Sequence, residues 1–239
     1  MTVATHPGRI GYFGSVREFD FPVDRPHAKS VNQTYADMRR LQVSAAVLAV
    51  LLAAGAVALW LAGHIWTTVV AVVLAVAALS CLWVVVWVPR KVGSIESLYA
   101  KSPLVPAVVS EVHPRAVTLL ALIDIAKHGG AEHDGPIYAL VTRNTPIQGR
   151  KPVVGERVPS VALLDDRTRG DKSPVWQMVS PMPIWWGTRD KAVLARAEAA
   201  IGEQEWNYLS ERISQSEQVR TSPDQRLAIE PEDLPDFLR

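Results

Sequence analysis

The dominant pattern along the chain is an apolar block from Leu41 to Val88, broken only at Gly63-His64. Each half holds about 20 residues, enough at about 1.5 Å per residue to cross a hydrocarbon core of about 30 Å. The block therefore predicts a transmembrane helical hairpin, with spans over about 41–62 and 66–88 and an outer turn at Gly63-His64-Ile65. Upstream, Val31, Tyr35, Met38 and Leu41 recur at three- and four-residue spacing, which extends the first helix back to Ser30. Pro89 should end the second helix, since it brings no amide hydrogen.

Inside the spans, Ala45, Ala49 and Ala53 repeat every four residues, and Ala71, Ala75 and Ala78 form a similar stripe. Small residues so spaced let helix backbones approach closely in lipid. The stripes suit either the other helix of the hairpin or a helix of a partner. Orientation follows from the flanks. Arg39 and Arg40 precede the first span and Arg90 and Lys91 follow the second, while the turn carries no fixed charge. By the positive-inside rule both termini face the cytoplasm, at the inner (plasma) membrane. The same four residues could meet anionic head groups at about 1 kcal/mol each, although topology anchoring is their expected main role. Trp60 and Trp66 flank the outer turn and Trp83 and Trp87 lie near the inner end, the depths at which amphipathic rings favour the interface.

On either side of residues 30–91 the pattern changes. Residues 1–29 form an arm rich in Gly, Pro and aromatic residues, including Tyr12, Phe13, Phe19 and Phe21. Free disorder lacks aromatics, so the arm should dock, on its own soluble domain or on another subunit. Residues 104–217 read as a β-rich domain closed by helices. Strand-like runs cover 105–112, 116–125, 137–142, 157–164, 175–179 and 184–186. Short strands with frequent turns point to a small curved sheet or an oligonucleotide-binding-fold-like, partly open barrel. Asp190 can cap a helix over 191–201, and a second helix over 203–217 places Trp206, Leu209 and Ile213 on one face. The acidic, Pro-punctuated residues 218–239 read as a disordered tail or as a motif ordered by a partner. The fold class is thus a membrane α-helical hairpin plus a soluble α+β domain.

Composition narrows the chemistry. The net charge of +1 lacks the concentrated basic face of a nucleic-acid binder. A single cysteine, Cys81, precludes an internal disulfide and a zinc site of the usual cysteine spacing. The spans hold no Asp, Glu, Lys or Arg, which argues against a pore or transporter acting alone. There is no phosphate loop ending in Lys-Ser/Thr, G-x-G-x-x-G, H-E-x-x-H or G-x-S-x-G. Residues 149–155 (Gly-Arg-Lys-Pro-Val-Val-Gly) read as a bend. His128, Glu132, His133 and Asp134 form the sole metal-capable cluster, but the adjacent Gly129-Gly130 makes a soft loop in place of a fixed ligand set. Asp165, Asp166 and Asp171, mixed with Arg167 and Arg169, read as a hairpin tip. No catalytic, cofactor or metal residue is assigned, and the chain reads as a non-enzyme.

Three segments carry a resemblance: Val105-Pro106-Ala107-Val108-Val109-Ser110-Glu111-Val112, Gly155-Glu156-Arg157-Val158-Pro159-Ser160-Val161-Ala162, and Ser180-Pro181-Met182-Pro183-Ile184-Trp185-Trp186-Gly187-Thr188. They resemble an uncharacterised actinobacterial family of two-span membrane proteins with a C-terminal cytoplasmic β-rich domain. The resemblance covers roughly residues 35–215 and implies no catalytic residue. The leading expectation is a non-enzymatic accessory or scaffold subunit of a larger inner-membrane assembly, respiratory or cell-envelope, with other integral membrane subunits as partners. Self-association is compatible with the alanine stripes. The alternative is a membrane-tethered ligand-binding domain with Trp176, Trp185 and Trp186 as its platform.

Overall fold

The computed structural model describes residues 17–31, 33–92, 94–127, 135–146, 151–168 and 170–238, with the backbone alone at 33–38 and 88–92. The chain divides into two compact units. One comprises Pro22–Leu98 and Trp186–Arg189, the other Met1–Phe21, Tyr99–Trp185 and Asp190–Arg239.

The first unit is the hairpin. After a short helix α1 (Arg25–Val31) come α2 (Gln33–Leu61) and α3 (Ile65–Val92). Two stretches of 23 residues, Arg39–Leu61 and Ile65–Trp87, are long and apolar enough to cross a membrane. Gly63 makes the turn with φ of +71°, a left-handed conformation that glycine adopts without steric cost. The start of α3 is capped from its third residue, Thr67 Oγ1 accepting from the His64 amide at 3.2 Å, and the Thr68 amide makes the first helical bond to the His64 carbonyl at 3.0 Å.

The seam of the hairpin differs from the four-residue stripes. Ala49, Ala56, Ala71 and Ala78 are buried and Ala45 is half-buried, whereas Ala53 and Ala75 lie exposed. At 3.6 residues per turn a strict four-residue step drifts about 40° each time, while alternating steps of three and four stay in register. Gln42, Ala45, Ala49, Leu52, Ala56 and Leu59 of α2 are covered and follow that alternation, with Ala46 and Gly55 partly covered beside them. Gly55 sits at a close approach, where an added Cβ would lie 3.4 Å from Leu74.

Pro89 does not end α3, which continues to Val92. A proline inside a helix deprives the carbonyl four residues earlier of its donor, here Val85. The Gln42 side-chain amide donates to that carbonyl at 3.3 Å. A polar residue of the first span thus satisfies the group that the proline of the second leaves open.

The second unit is α+β. Its strands form two small open sheets. One has the order β1-β5-β6, from β1 (Leu104–Val105), β5 (Ser160–Asp165) and β6 (Met178–Pro183). The other has the order β2-β3-β4-β7, from β2 (Ala107–Val112), β3 (Ala116–Asp124), β4 (Tyr138–Pro146) and β7 (Arg226–Ala228). All pairings are antiparallel. Pro106, between β1 and β2, is where the chain passes from one sheet to the other. Single bridges at Val108–Arg157 and Ala126–Val175 add contacts outside the named strands, but no barrel closes among the described residues.

Burial on both faces explains why β3 reads as an unbroken apolar run. Val117, Leu119, Ala121 and Ile123 join Val109, Ala139, Val141 and Ala162 in a core shared by strands of both sheets. On the opposite face Leu120, Leu122 and Leu140 are fully buried, as are Trp206 and Leu209 of α6 (Glu203–Glu211) and Val219 of α7 (Ser216–Thr221). Helix α6 packs on β2 and β3 and α7 on β4. Ser110, the extra residue where the β2–β3 register shifts, donates to the Thr118 carbonyl at 3.1 Å and meets Ser216 of α7 at 2.6 Å. Asp190 accepts from the Ala192 amide at 2.8 Å and caps α5 (Lys191–Ala199), as its position suggested. Residues 184–186, expected as a strand, form a single 3-10 turn instead.

Both termini of the described chain are absorbed into this unit. Phe19 and Phe21 are buried, and Phe21 meets Tyr99 edge-on with ring centroids 5.0 Å apart. Arg196 stacks over Phe19 at 5.0 Å and donates to the Asp20 carbonyl at 2.8 Å. At the other end, the stretch expected as a tail supplies β7, which pairs with β4 through Leu140–Leu227, and Leu234 and Leu238 are buried. An edge strand left open is a liability, and β7 covers the free edge of β4. Tyr12 and Phe13 lie outside the described residues.

Candidate functional site

The α+β unit contains a cleft of about 260 Å³ where β3 ends and β4 begins. Its walls come from sequence-distant elements: Leu104 of β1, Leu122 and Asp124 of β3, Tyr138 of β4, Leu164 of β5, Trp176, Lys101 and the ion pair Arg17–Glu205. Asp124 and Tyr138 are direct cross-strand partners, so the register of the β3–β4 pair sets them side by side.

Each polar residue has a traceable position. Lys101 ends helix α4 (Ile95–Lys101), and the Tyr99 hydroxyl one half-turn earlier donates to the Pro183 carbonyl at 3.0 Å. Burial pushes that Tyr99 phenol far above the usual range. Arg17 is fixed by its main chain, whose carbonyl accepts from the Leu104 amide at 2.7 Å. Its guanidinium then grips both carboxylate oxygens of Glu205, with Nη1–Oε2 at 3.1 Å. Such forked pairing has a geometric specificity that lysine cannot reproduce. Asp124 Oδ1 accepts from the Ala126 and Ile137 amides, both at 3.0 Å, which shapes the chain as it leaves β3 and enters β4. The Tyr138 phenol is pushed up to about 12, first by burial and then by the Asp124 and Glu205 charges, with Arg17 opposing. It is a neutral donor throughout the physiological range.

Trp176 is held by backbone contacts, its amide donating to Ile125 at 2.9 Å and its carbonyl accepting from Arg226 at 2.6 Å. The Lys127 ammonium lies 5.4 Å from its ring centroid. Lys127 also meets Asp166 at 2.8 Å and Asp171 at 3.3 Å, and these contacts raise its pKa. Two of the three carboxylates expected at a hairpin tip, Asp166 and Asp171, therefore bracket a lysine, while Arg167 pairs with Asp224. Arg169 lies outside the described residues.

The residues singled out by sequence scatter by comparison. Of the three tryptophans, only Trp176 lines the cleft. Trp185 packs against the core and Trp186 is fully buried. Trp60, Trp66, Trp83 and Trp87 are exposed on the hairpin, as are Arg39 and Arg40. Arg90 and Lys91 belong to α3, and their side chains lie outside the description. So does the loop with His128, Glu132, His133 and Asp134. Cys81 is half-buried. Sequence reasoning missed Arg17, Lys101, Asp124, Tyr138 and Glu205. Arg17 and Glu205 stand 188 positions apart, and no local spacing announces their pairing.

Comparison with known proteins adds a family but no activity. No curated protein matches the chain. A crystal structure of a protein described as a "putative membrane protein", from Corynebacterium diphtheriae, is similar at 36% identity and a TM-score of 0.46, over 53% of this chain and 99% of that one. Residues 90–217, more than half of the chain and most of the α+β unit, match the family described as a protein of unknown function (DUF3239), and the chain belongs to that family.

Proposed function

We propose that the chain is a membrane-anchored binding protein. In this reading the hairpin crosses the inner membrane with both termini cytoplasmic, and the α+β unit binds a small ligand in its cleft. The cleft carries the proposal. It is concave, mostly apolar, and edged by a few polar groups on rigid strands and a helix end, which is the usual anatomy of a small-molecule site. Phe19 and Phe21 of the arm and the C-terminal stretch, which would have been adhesive parts of a scaffold, pack internally. A thermal-unfolding screen of the full chain in a neutral detergent tests the reading, with small carboxylates, amines, neutral heterocycles and nucleotides as probes. Saturable stabilisation by one class, diminished in Tyr138→Phe, is expected. No stabilisation by any class would overturn it.

A second reading, an accessory subunit of a larger inner-membrane assembly, draws on Ala53 and Ala75. These small residues face outward from the hairpin, where a partner helix could approach closely. Crosslinking in mild detergent tests it. A partner lost on Ala53→Leu supports this reading, and a chain that stays alone counts against it. Orientation has its own check, a cytoplasm-specific reporter fused after Arg239, which should be active.

A further inference from the structure

The chemistry of the cleft is one-sided. The carboxylates of its lining are already engaged: both Glu205 oxygens are held by Arg17, and Asp124 Oδ1 takes two backbone amides. Its donors are open. Among the described residues the Lys101 ammonium, the Tyr138 hydroxyl and the Trp176 indole N–H have no hydrogen-bond partner, and all three residues line the cleft. An acceptor-bearing ligand would meet unpaired donors, whereas a donor-bearing one would compete with bonds already made.

Charge and size restrict the class further. The four charged residues of the lining, Arg17, Lys101, Asp124 and Glu205, sum to zero; Arg17 and Glu205 pair with each other, and Lys101 is the cation of the lining without an ionic partner among the described residues. One ligand charge can be matched there. A doubly charged phosphate would face Asp124 with no second open cation. The volume of about 260 Å³ lies below the roughly 300 Å³ at which small-molecule sites usually begin. Leu104, Leu122 and Leu164 offer the body of the ligand an apolar wall. We infer that the cleft takes a small apolar monocarboxylate, its carboxylate on Lys101 with Tyr138 and Trp176 donating, and its hydrocarbon or ring against the leucines. This inference rests on the cleft being a binding site, as proposed above.

Calorimetric titration of the full chain in phosphatidylcholine nanodiscs at pH 7 tests it, with empty discs as the partitioning control. The probes are benzoate and hexanoate, their amides benzamide and hexanamide, and phenyl phosphate. The acids should bind at least tenfold more tightly than the amides, and phenyl phosphate no better than the amides. Lys101→Met should bring the acids down to the level of the amides, while Lys101→Arg should retain most of the preference. Lys101 is exposed at a helix end, so neither change burdens the fold. Equal binding of acids and amides, tighter binding of phenyl phosphate, or indifference to Lys101→Met would overturn the carboxylate class while leaving the site intact. No saturable heat from any probe would overturn both.

Discussion

The contact between Gln42 and the Val85 carbonyl predicts a coupling that can be measured. Replacing Gln42 by leucine keeps the volume close and removes the only side-chain donor seen on that carbonyl among the described residues. Because residue 89 is proline, the helix cannot supply a replacement from its own backbone. A buried acceptor left unpaired costs about 1–3 kcal/mol in soluble proteins. Interhelical hydrogen bonds in membranes average nearer 0.6 kcal/mol, with a maximum of about 1.7. Gln42 is in the first turn of the span Arg39–Leu61, where water is close, so a loss of about 1 kcal/mol is expected, roughly fivefold in the folding equilibrium. Pro89→Ala returns an amide hydrogen to position 89 and should absorb most of that loss. Reversible unfolding in mixed micelles of wild type, both single variants and the double variant gives the coupling energy. A coupling of about 1 kcal/mol is expected. If Gln42→Leu costs the same in the wild type as in the Pro89→Ala background, to within about 0.3 kcal/mol, the proline does not create the need that Gln42 meets.

Three further outcomes follow from the packing and the site. Ala49→Leu, on the buried seam, should cost about 1–3 kcal/mol of hairpin stability through overpacking, whereas Ala53→Leu should be silent in the isolated chain; equal effects in the same unfolding assay would contradict the three-four seam. Tyr138 resists ionisation in the folded state, with its pKa raised from 10 to about 12. The stability this supplies is complete below pH 10 and is lost as pH rises toward 12, so Tyr138→Phe should flatten part of the alkaline decline in stability; an unchanged slope would contradict the assignment. Deleting residues 223–239 removes β7, Leu234 and Leu238, and should lower stability by at least about 3 kcal/mol and expose the β4 edge to aggregation, where a dispensable tail would leave melting unchanged.

What the sequence made legible, and what it hid, follows from how local each constraint is. A hydrocarbon core demands long uncharged helices, so the hairpin and its Gly63 turn stand out. The Asp190 cap is equally local. The seam was harder, because in a span so rich in alanine a four-residue repeat and a three-four repeat pick out many of the same residues. Ala53 and Ala75 separate them, and they face outward. Proline is a good predictor of a helix end where water meets freed carbonyls, but here Gln42 removes the reason to stop. Strand β7 has three residues in a charged stretch. It exists because β4 presents an edge, which no local pattern records. The cleft is the extreme case: its ion pair joins the arm to α6, and its tyrosine matters because of the residue across the strand. Only Trp176 was visible beforehand, as one tryptophan among eight.

The most direct test of a ligand cleft in the α+β unit uses that single tryptophan. The full chain labelled with 5-fluorotryptophan in nanodiscs should give separate fluorine resonances, with Trp176 assigned by its loss in Trp176→Phe. On titration with benzoate, the Trp176 resonance should move saturably while those of Trp60, Trp66, Trp83 and Trp87 stay in place. A Trp176 resonance that does not move with benzoate or with any of the other probes, or movement confined to the hairpin tryptophans, would contradict a binding site in the cleft.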